Sequence, residues 1–286
     1  MTATALALVL CAAVLHAAWN ALAKRGRDPI AFLWLSSMVA TPVLLPFALR
    51  ELAVSGLPAR AVPFVLGTVV LHAIYFYALG RAYATGAYSL VYPIARGLGV
   101  ALVPMLAWTL LDERVSPLGV VGIALVIVGV VVLHRIGGRR AIVSTGALGS
   151  ASLWAVVTGV TIASYSVLDK VGVTRLHPVP YMLLMEAGCV VAFAPFMRRR
   201  LDAVRTEWAA NRWTIMATGV MSAGGYTLVL FAFQLSKAGY VVASRELSIV
   251  LSALIGSLLL GEGRLPPRLA AAGIVLAGVA CVALAR

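Results

Sequence analysis

Ten apolar runs decide what this chain can fold into. They lie at about residues 3 to 23, 30 to 49, 61 to 80, 86 to 110, 116 to 135, 147 to 169, 179 to 197, 212 to 234, 239 to 260 and 266 to 285. Crossing about 30 Å of hydrocarbon as a helix takes about 20 residues, so each run is a candidate membrane span. The sequence therefore predicts an all-α integral membrane fold with ten transmembrane helices. Composition agrees: 62% of the residues are hydrophobic, mean hydropathy is +1.00 and only 12% are charged, about half the charged share of a soluble domain. The spans leave these residues no room for a catalytic domain outside the bilayer, so an enzyme is not expected. One connection, "RRRLDAVRTEWAAN" at 198 to 211, can hold a short extramembrane helix. The first run has no Lys or Arg before it and reads as a helix of the mature protein, not as a cleaved signal.

The formal net charge of +13 would suggest a nucleic-acid partner in a soluble chain. Here the Lys and Arg fall mostly in short loops between apolar runs, where they report membrane topology. No nucleic-acid partner is expected. Cys11, Cys189 and Cys281 have no paired spacing, and the four His residues form no cluster with ligand spacing. No metal or cofactor is therefore expected, and the cysteines read as small packing residues.

The chain repeats itself. "LLDERVSPLGVVG" at 110 to 122 resembles "LLGEGRLPPRLAAAG" at 259 to 273, pairing Glu113 with Glu262 at an offset of 149 residues. At the same offset Arg96 falls on Arg245 and Pro46 on Pro195. "WNALAK" ending at Lys24 and "YSVLDK" ending at Lys170 match at an offset of 146. The expectation is two five-helix repeats, residues 1 to 138 and 146 to 286. Five is odd, so the second copy enters the membrane from the opposite side and the repeats are inverted. The pseudo-two-fold axis then lies in the membrane plane and brings Arg96 and Arg245 toward one central region.

These features together resemble the EamA-type transporters of the drug/metabolite transporter superfamily: ten apolar helices, two five-helix repeats, "LLDE" and "LLGE" closing the fourth helix of each half, and "HAAWNALAK" in the first. The resemblance covers nearly the whole chain. It implies a secondary transporter with a central cavity for a small metabolite, often an exporter, in a cell membrane that would be the inner membrane of a bacterium. It does not imply a substrate. The first half keeps the family's proline in helix four, at Pro93, while the second half has Val242 there. The resemblance thus gives no ground for both helices unwinding alike.

Arg96 and Arg245 lie well inside their spans, where an ionised side chain costs at least about 2.5 to 3.5 kcal/mol. Two readings stand side by side. In one the pair clamps an anionic group of the substrate through forked hydrogen bonds; in the other each is paired inside the bundle with Glu246 or Glu186; both hold if a Glu neutralises the arginine in the empty transporter and substrate does so in the loaded one. On a continuous helix Arg245 shares a face with Ser248, Ser252 and Gly256, and Ser89, Tyr92 and Arg96 line up in the other half. Glu246 follows Arg245 but points about 100° away, so the two need not touch. Glu186 falls opposite Ser37 at the offset of 149 and has no acidic twin. A lone buried carboxylate that gives and takes a proton is what proton coupling needs, and a salt bridge to Arg96 or Arg245 is the structural alternative. Glu113 and Glu262, at span ends, read as caps between the fourth and fifth helices of each half. His16, Trp19, Asn20 and Lys24 form one polar stripe on the first helix, facing the bundle. Its side chains would contact substrate, or bond one another and pack. Tyr75, Tyr92, Tyr165 and Tyr226 are further candidates for lining a cavity.

Helices five and ten carry Gly119, Gly122, Gly129, Gly273 and Gly278 and no ionisable residue inside. They read as peripheral packing helices, open to close approach or even to a homodimer contact. Setting aside Arg96 and Arg245, 14 Lys and Arg follow helices one, three, five, seven and nine, against 7 on the other side. The positive-inside rule then puts both termini outside the cytoplasm, whereas the family resemblance implies cytoplasmic termini. The leading function is a secondary transporter of a small metabolite, with an anionic group favoured and a proton or ion to couple it. The alternatives are a cationic drug efflux pump, which wants an unpaired carboxylate and an aromatic cage, and a non-transporting lipid-flippase component.

Overall fold

The computed structural model describes the backbone of residues 1 to 23, 26 to 85, 88 to 137, 145 to 251 and 265 to 285. It leaves the side chains at 83, 84, 88 to 90, 92, 93, 133 to 137, 145 to 148 and 265 to 268 undescribed. Every regular element in these residues is helical: α1 (Ala3–Ala23), α2 (Pro29–Ser55), a 3₁₀ turn (Ala59–Ala61), α3 (Val62–Thr85), α4 (Tyr88–Leu111), α5 (Pro117–Gly137), α6 (Thr145–Gly172), α7 (Pro178–Arg198), α8 (Leu201–Leu235), α9 (Ala238–Arg245) and α10 (Leu265–Leu284).

Seven of the described helical segments are long and apolar enough to cross a membrane, fewer than the ten spans expected. Two more apolar stretches, Pro117–Val132 in α5 and Leu269–Leu284 in α10, are shorter than that measure. The ninth expected span, 239 to 260, runs past residue 251 and so lies partly outside the described residues. The outward faces are apolar, with Phe47, Leu66, Leu110, Leu153 and Val191 all exposed. A surface of that kind suits acyl chains, because lipid removes the cost of leaving apolar side chains uncovered.

Residues 198 to 211 do form a helix, but it is continuous with the eighth span. α8 runs from Leu201 to Leu235 and bends where Asn211 leaves the helical region (φ −129°, ψ 17°). Tertiary contacts hold this first segment in place. Glu207 is buried, and its carboxylate accepts from the backbone N–H groups of Arg27 (2.9 Å) and Asp28 (2.8 Å) and from the Asn211 amide (2.6 Å). Asp28 caps the start of α2 by accepting from the Ala31 N–H at 3.1 Å, and pairs with Arg200. Two carboxylates near one helix start complement its unpaired N–H groups and its dipole.

The helix contacts come in matched sets. α1 packs on α8 and α6 on α3; α4 packs on α6 and α9 on α1; α2 meets α7, α4 meets α9 and α5 meets α10. Exchanging the two sets of five helices leaves this pattern unchanged. α5 and α10 are antiparallel: a side chain on Gly122 would meet the Gly278 carbonyl oxygen at 2.7 Å, and one on Gly278 would meet that of Gly122 at the same distance. Farther along, Gly129 faces Ala271 and Val275. These glycines let two backbones touch within the chain, so the face expected to be open to a dimer is largely used internally. Gly119 is likewise filled, by the Tyr240 ring, whereas Gly273 has nothing within 4 Å.

The two fourth helices differ. α4 runs unbroken from Tyr88 to Leu111 through Pro93. In the second half, where the sequence has no proline, the helix breaks instead. α9 ends at Arg245, and Glu246 donates its N–H to Ala243 (3.2 Å) while its carbonyl accepts from Ile249 (2.9 Å). Both bonds span three residues, so one tightened turn separates α9 from the helix over 247 to 251.

Candidate functional site

The break brings Glu246 against Arg96 across the α4–α9 contact. The guanidinium grips the carboxylate side-on, Nη2 to Oε1 at 2.7 Å and Nε to Oε2 at 3.2 Å. Both residues are buried, at 8% and 1% exposure. This is the forked geometry that makes arginine–carboxylate pairs strong, and each ion offsets the other's loss of water. Arg96 is thus held in an internal ion pair.

Arg245, its repeat mate, is placed differently. Its guanidinium carbon lies 5.3 Å from the centre of the Tyr226 ring, within range for a cation–π contact. Among the described residues no carboxylate lies within 4 Å of it, and it is only partly buried. Both arginines nonetheless act electrostatically on His16, Tyr75 and Tyr165, so they address one region. His16, Trp19, Asn20, Tyr75 and Tyr226 are also only partly buried.

The region between α3, α6 and α8 is aromatic. His72 from α3 stacks on Tyr165 from α6 at 4.1 Å between ring centres, and meets Tyr226 from α8 edge-on at 5.7 Å. Tyr75 stands edge-on to Tyr165 at 5.8 Å. His72 Nδ1 is 2.9 Å from the Thr68 carbonyl oxygen. A carbonyl only accepts, so Nδ1 carries the hydrogen and a neutral ring leaves Nε2 as its acceptor.

Below this cluster, three residues from the C-terminal end of α6, lies Asp169, at 0% exposure. Its Oδ1 accepts from the Tyr181 hydroxyl at 2.8 Å and its Oδ2 from the Tyr226 hydroxyl at 2.5 Å. No cationic side chain lies within 4 Å of it among the described residues. The neighbouring Lys170 is occupied elsewhere, by Glu113 at 3.3 Å, by the Ser236 carbonyl at 2.8 Å and by the Phe233 carbonyl. Glu113 accepts from the Ala238 N–H at 2.7 Å. It therefore caps α9, a helix of the other half, and is not confined to the α4–α5 corner expected from sequence.

The other candidates divide. Asn20 donates to the His16 carbonyl at 2.7 Å and His16 stands edge-on to Trp19 at 4.9 Å, so the first-helix stripe bonds within itself beside the arginines. Lys24 and the side chains of Ser89 and Tyr92 lie outside the described residues, as do Ser252, Gly256 and Glu262. Ser248 is buried with no hydrogen-bond partner for its hydroxyl among the described residues. For Glu186 the salt-bridge alternative falls: among the described residues no ion pair joins it to either arginine, and Ser37 is the polar side chain acting on it. α7 packs on α2 and α3, which carries Glu186 to the residue it matches in the other repeat.

Sequence reasoning misses Asp169 and Tyr181, and passes over His72 because that residue has no ligand spacing. A signal is present. At the 146-residue offset Asp169 falls on Ala23, so the second half has an acid one residue before the shared lysine where the first has a methyl group.

No curated protein matches the chain. One crystal structure superposes with a TM-score of 0.76 over 99% of this chain and 98% of its own, at 18% identity, which establishes a shared fold. The EamA-like transporter family matches twice, over residues 3–135 and 149–284. The chain is thus a multi-pass membrane protein belonging to the EamA-like transporter family.

Proposed function

We propose that this protein is a secondary transporter, of the exporting kind, for a small metabolite with an anionic group, and that Arg245 is the group that meets the anion. The observation carrying this reading is the contrast in charge pairing: Arg96 is held by Glu246, while Arg245 stands over Tyr226 at 5.3 Å with no carboxylate within 4 Å among the described residues. A guanidinium at such depth calls for a counter-charge, and an arriving carboxylate or phosphate supplies one. His16, Trp19 and Asn20 sit on α1, which packs on α9, and are further candidates to contact the substrate. The two halves, 1 to 138 and 146 to 286, act as inverted repeats, a reading supported by the antiparallel α5–α10 contact. Alternating access would then be a rocking of one half against the other around this site.

One observation favours the cationic-drug reading: the centre holds an aromatic cluster and Asp169, the carboxylate without a cation that such a pump requires. Against it, the Tyr226 face already carries a guanidinium and both Asp169 oxygens accept from phenols. A thermal-shift panel of carboxylates, phosphates, phosphonates, amino acids and cationic drugs on purified protein separates the two. Stabilisation by anions that disappears in Arg245→Gln is expected. Stabilisation by cations alone, retained in Arg245→Gln, would overturn the anion reading.

A further inference from the structure

We propose that Asp169 is a proton-binding site, linked through Tyr226 to the charge at Arg245, so that an anion settling on Arg245 draws a proton onto Asp169. This inference rests on the anion reading above and adds the coupling step to it. Asp169 and Arg245 are the two charged groups around the aromatic cluster that lack an ion-pair partner among the described residues. They flank one side chain: Tyr226 gives its hydroxyl to Asp169 and its ring face to Arg245. Across the Tyr226 ring, the partly accessible guanidinium favours a negative charge on the buried Asp169.

An anion on Arg245 cancels that compensation. Asp169 is then a buried negative charge with two phenolic donors and no cation, and protonation becomes the way to lower its energy. The step forms one O–H bond on the carboxylate and consumes one proton from water. Departure of the anion reverses it. Tyr226 is partly exposed while Asp169 is not, so the phenol is the more accessible member of the hydrogen-bonded pair.

The other groups facing Asp169 do not replace Arg245 as the linked charge. From α7 come Tyr181, which donates to it, and Cys189; from α3 comes His72, bonded at Nδ1 to Thr68; on its own helix are Tyr165 and Lys170, the latter paired with Glu113. Glu186, the carboxylate that sequence offered for this role, bonds Ser37 and has no comparable connection to an arginine.

The test uses the full-length protein in lipid vesicles and reads the C=O stretching band of protonated carboxyl groups in infrared difference spectra taken between pH values. The expected result is a band lost in Asp169→Asn and moved to higher pH in Arg245→Gln, because a removed cation favours the uncharged carboxyl. Tyr226→Phe keeps the ring and removes one donor, so it should move the band in the same direction, and it carries the test if Asp169→Asn does not fold. An unchanged spectrum in Asp169→Asn, or an unshifted band in both Arg245→Gln and Tyr226→Phe, would overturn the proposal. If Arg245→Gln abolishes stabilisation by carboxylates and phosphates while the Asp169→Asn spectrum stays unchanged, the anion reading stands and this inference falls.

Discussion

Arg96 and Arg245 occupy the same position in two copies of one helix pattern, yet they end in opposite electrostatic states. Arg96 sits on an unbroken helix and is neutralised by a forked, buried carboxylate. Arg245 closes a broken one, is partly accessible, and rests on a tyrosine face. The carboxylate that distinguishes them comes from the second copy: Glu246 lies beside Arg245 in sequence and pairs with the other half's arginine. A two-fold repeat thus supplies two guanidiniums, and one acid off the symmetry gives them different partners.

Removing that acid tests the contrast most severely. Glu246→Ala takes the forked carboxylate away from the buried Arg96, and a loss of about 3 to 5 kcal/mol is expected, read as a drop in thermal unfolding temperature in detergent. If Glu246→Ala is no worse than Arg245→Gln, the division of roles is wrong. The paired replacement Arg96→Met with Glu246→Leu should recover most of the loss, because apolar side chains of similar volume remove both desolvation costs together. A double variant as unstable as the single one would mean that the pair also holds the break in place.

Smaller effects test the other arginine. Tyr226→Phe removes a hydrogen bond to a charged acceptor, so about 1.5 to 3 kcal/mol of stability should go, with the cation–π face intact. The smallest effect on stability is expected for Arg245→Gln, about 0.5 to 1 kcal/mol, the worth of an accessible cation–π contact. The same variant should lose all stabilisation by anions in the thermal-shift panel. A large stability loss there would make Arg245 structural as well and erase the contrast.

Much of the site is legible in the amino-acid sequence. The repeat offsets single out both arginines, and the angle between neighbouring residues on a helix leaves Glu246 free to pair with something other than Arg245. The tyrosines that meet at the centre, Tyr75, Tyr165 and Tyr226, stand out by their position in apolar spans. Glu186 misleads because it is the conspicuous acid in an apolar helix; its surroundings supply a hydroxyl from α2. Asp169 is hidden by the lysine beside it, since adjacent opposite charges read as one interfacial feature. In the fold they point to different partners, Lys170 to Glu113 and Asp169 to two phenols.

Solvent, helices and repeat follow from the residues in order, without any contact being known. Hydrophobic run length is matched to bilayer thickness, and equivalent residues recur at a fixed offset. Helix starts are legible to a residue where a proline marks them, as at Pro29 and Pro178, whereas the charged start of α8 at Leu201 lies well before the apolar run. Which charge meets which is a property of the packed bundle, because ion pairs and phenolic hydrogen bonds form between helices far apart in sequence, as with Arg96 and Glu246, at distances that a turn of helix changes. The break at Glu246 belongs to the packed bundle too. No local residue there forbids a helix, and the tightened turn persists in a setting where Glu246 finds its charge partner on α4.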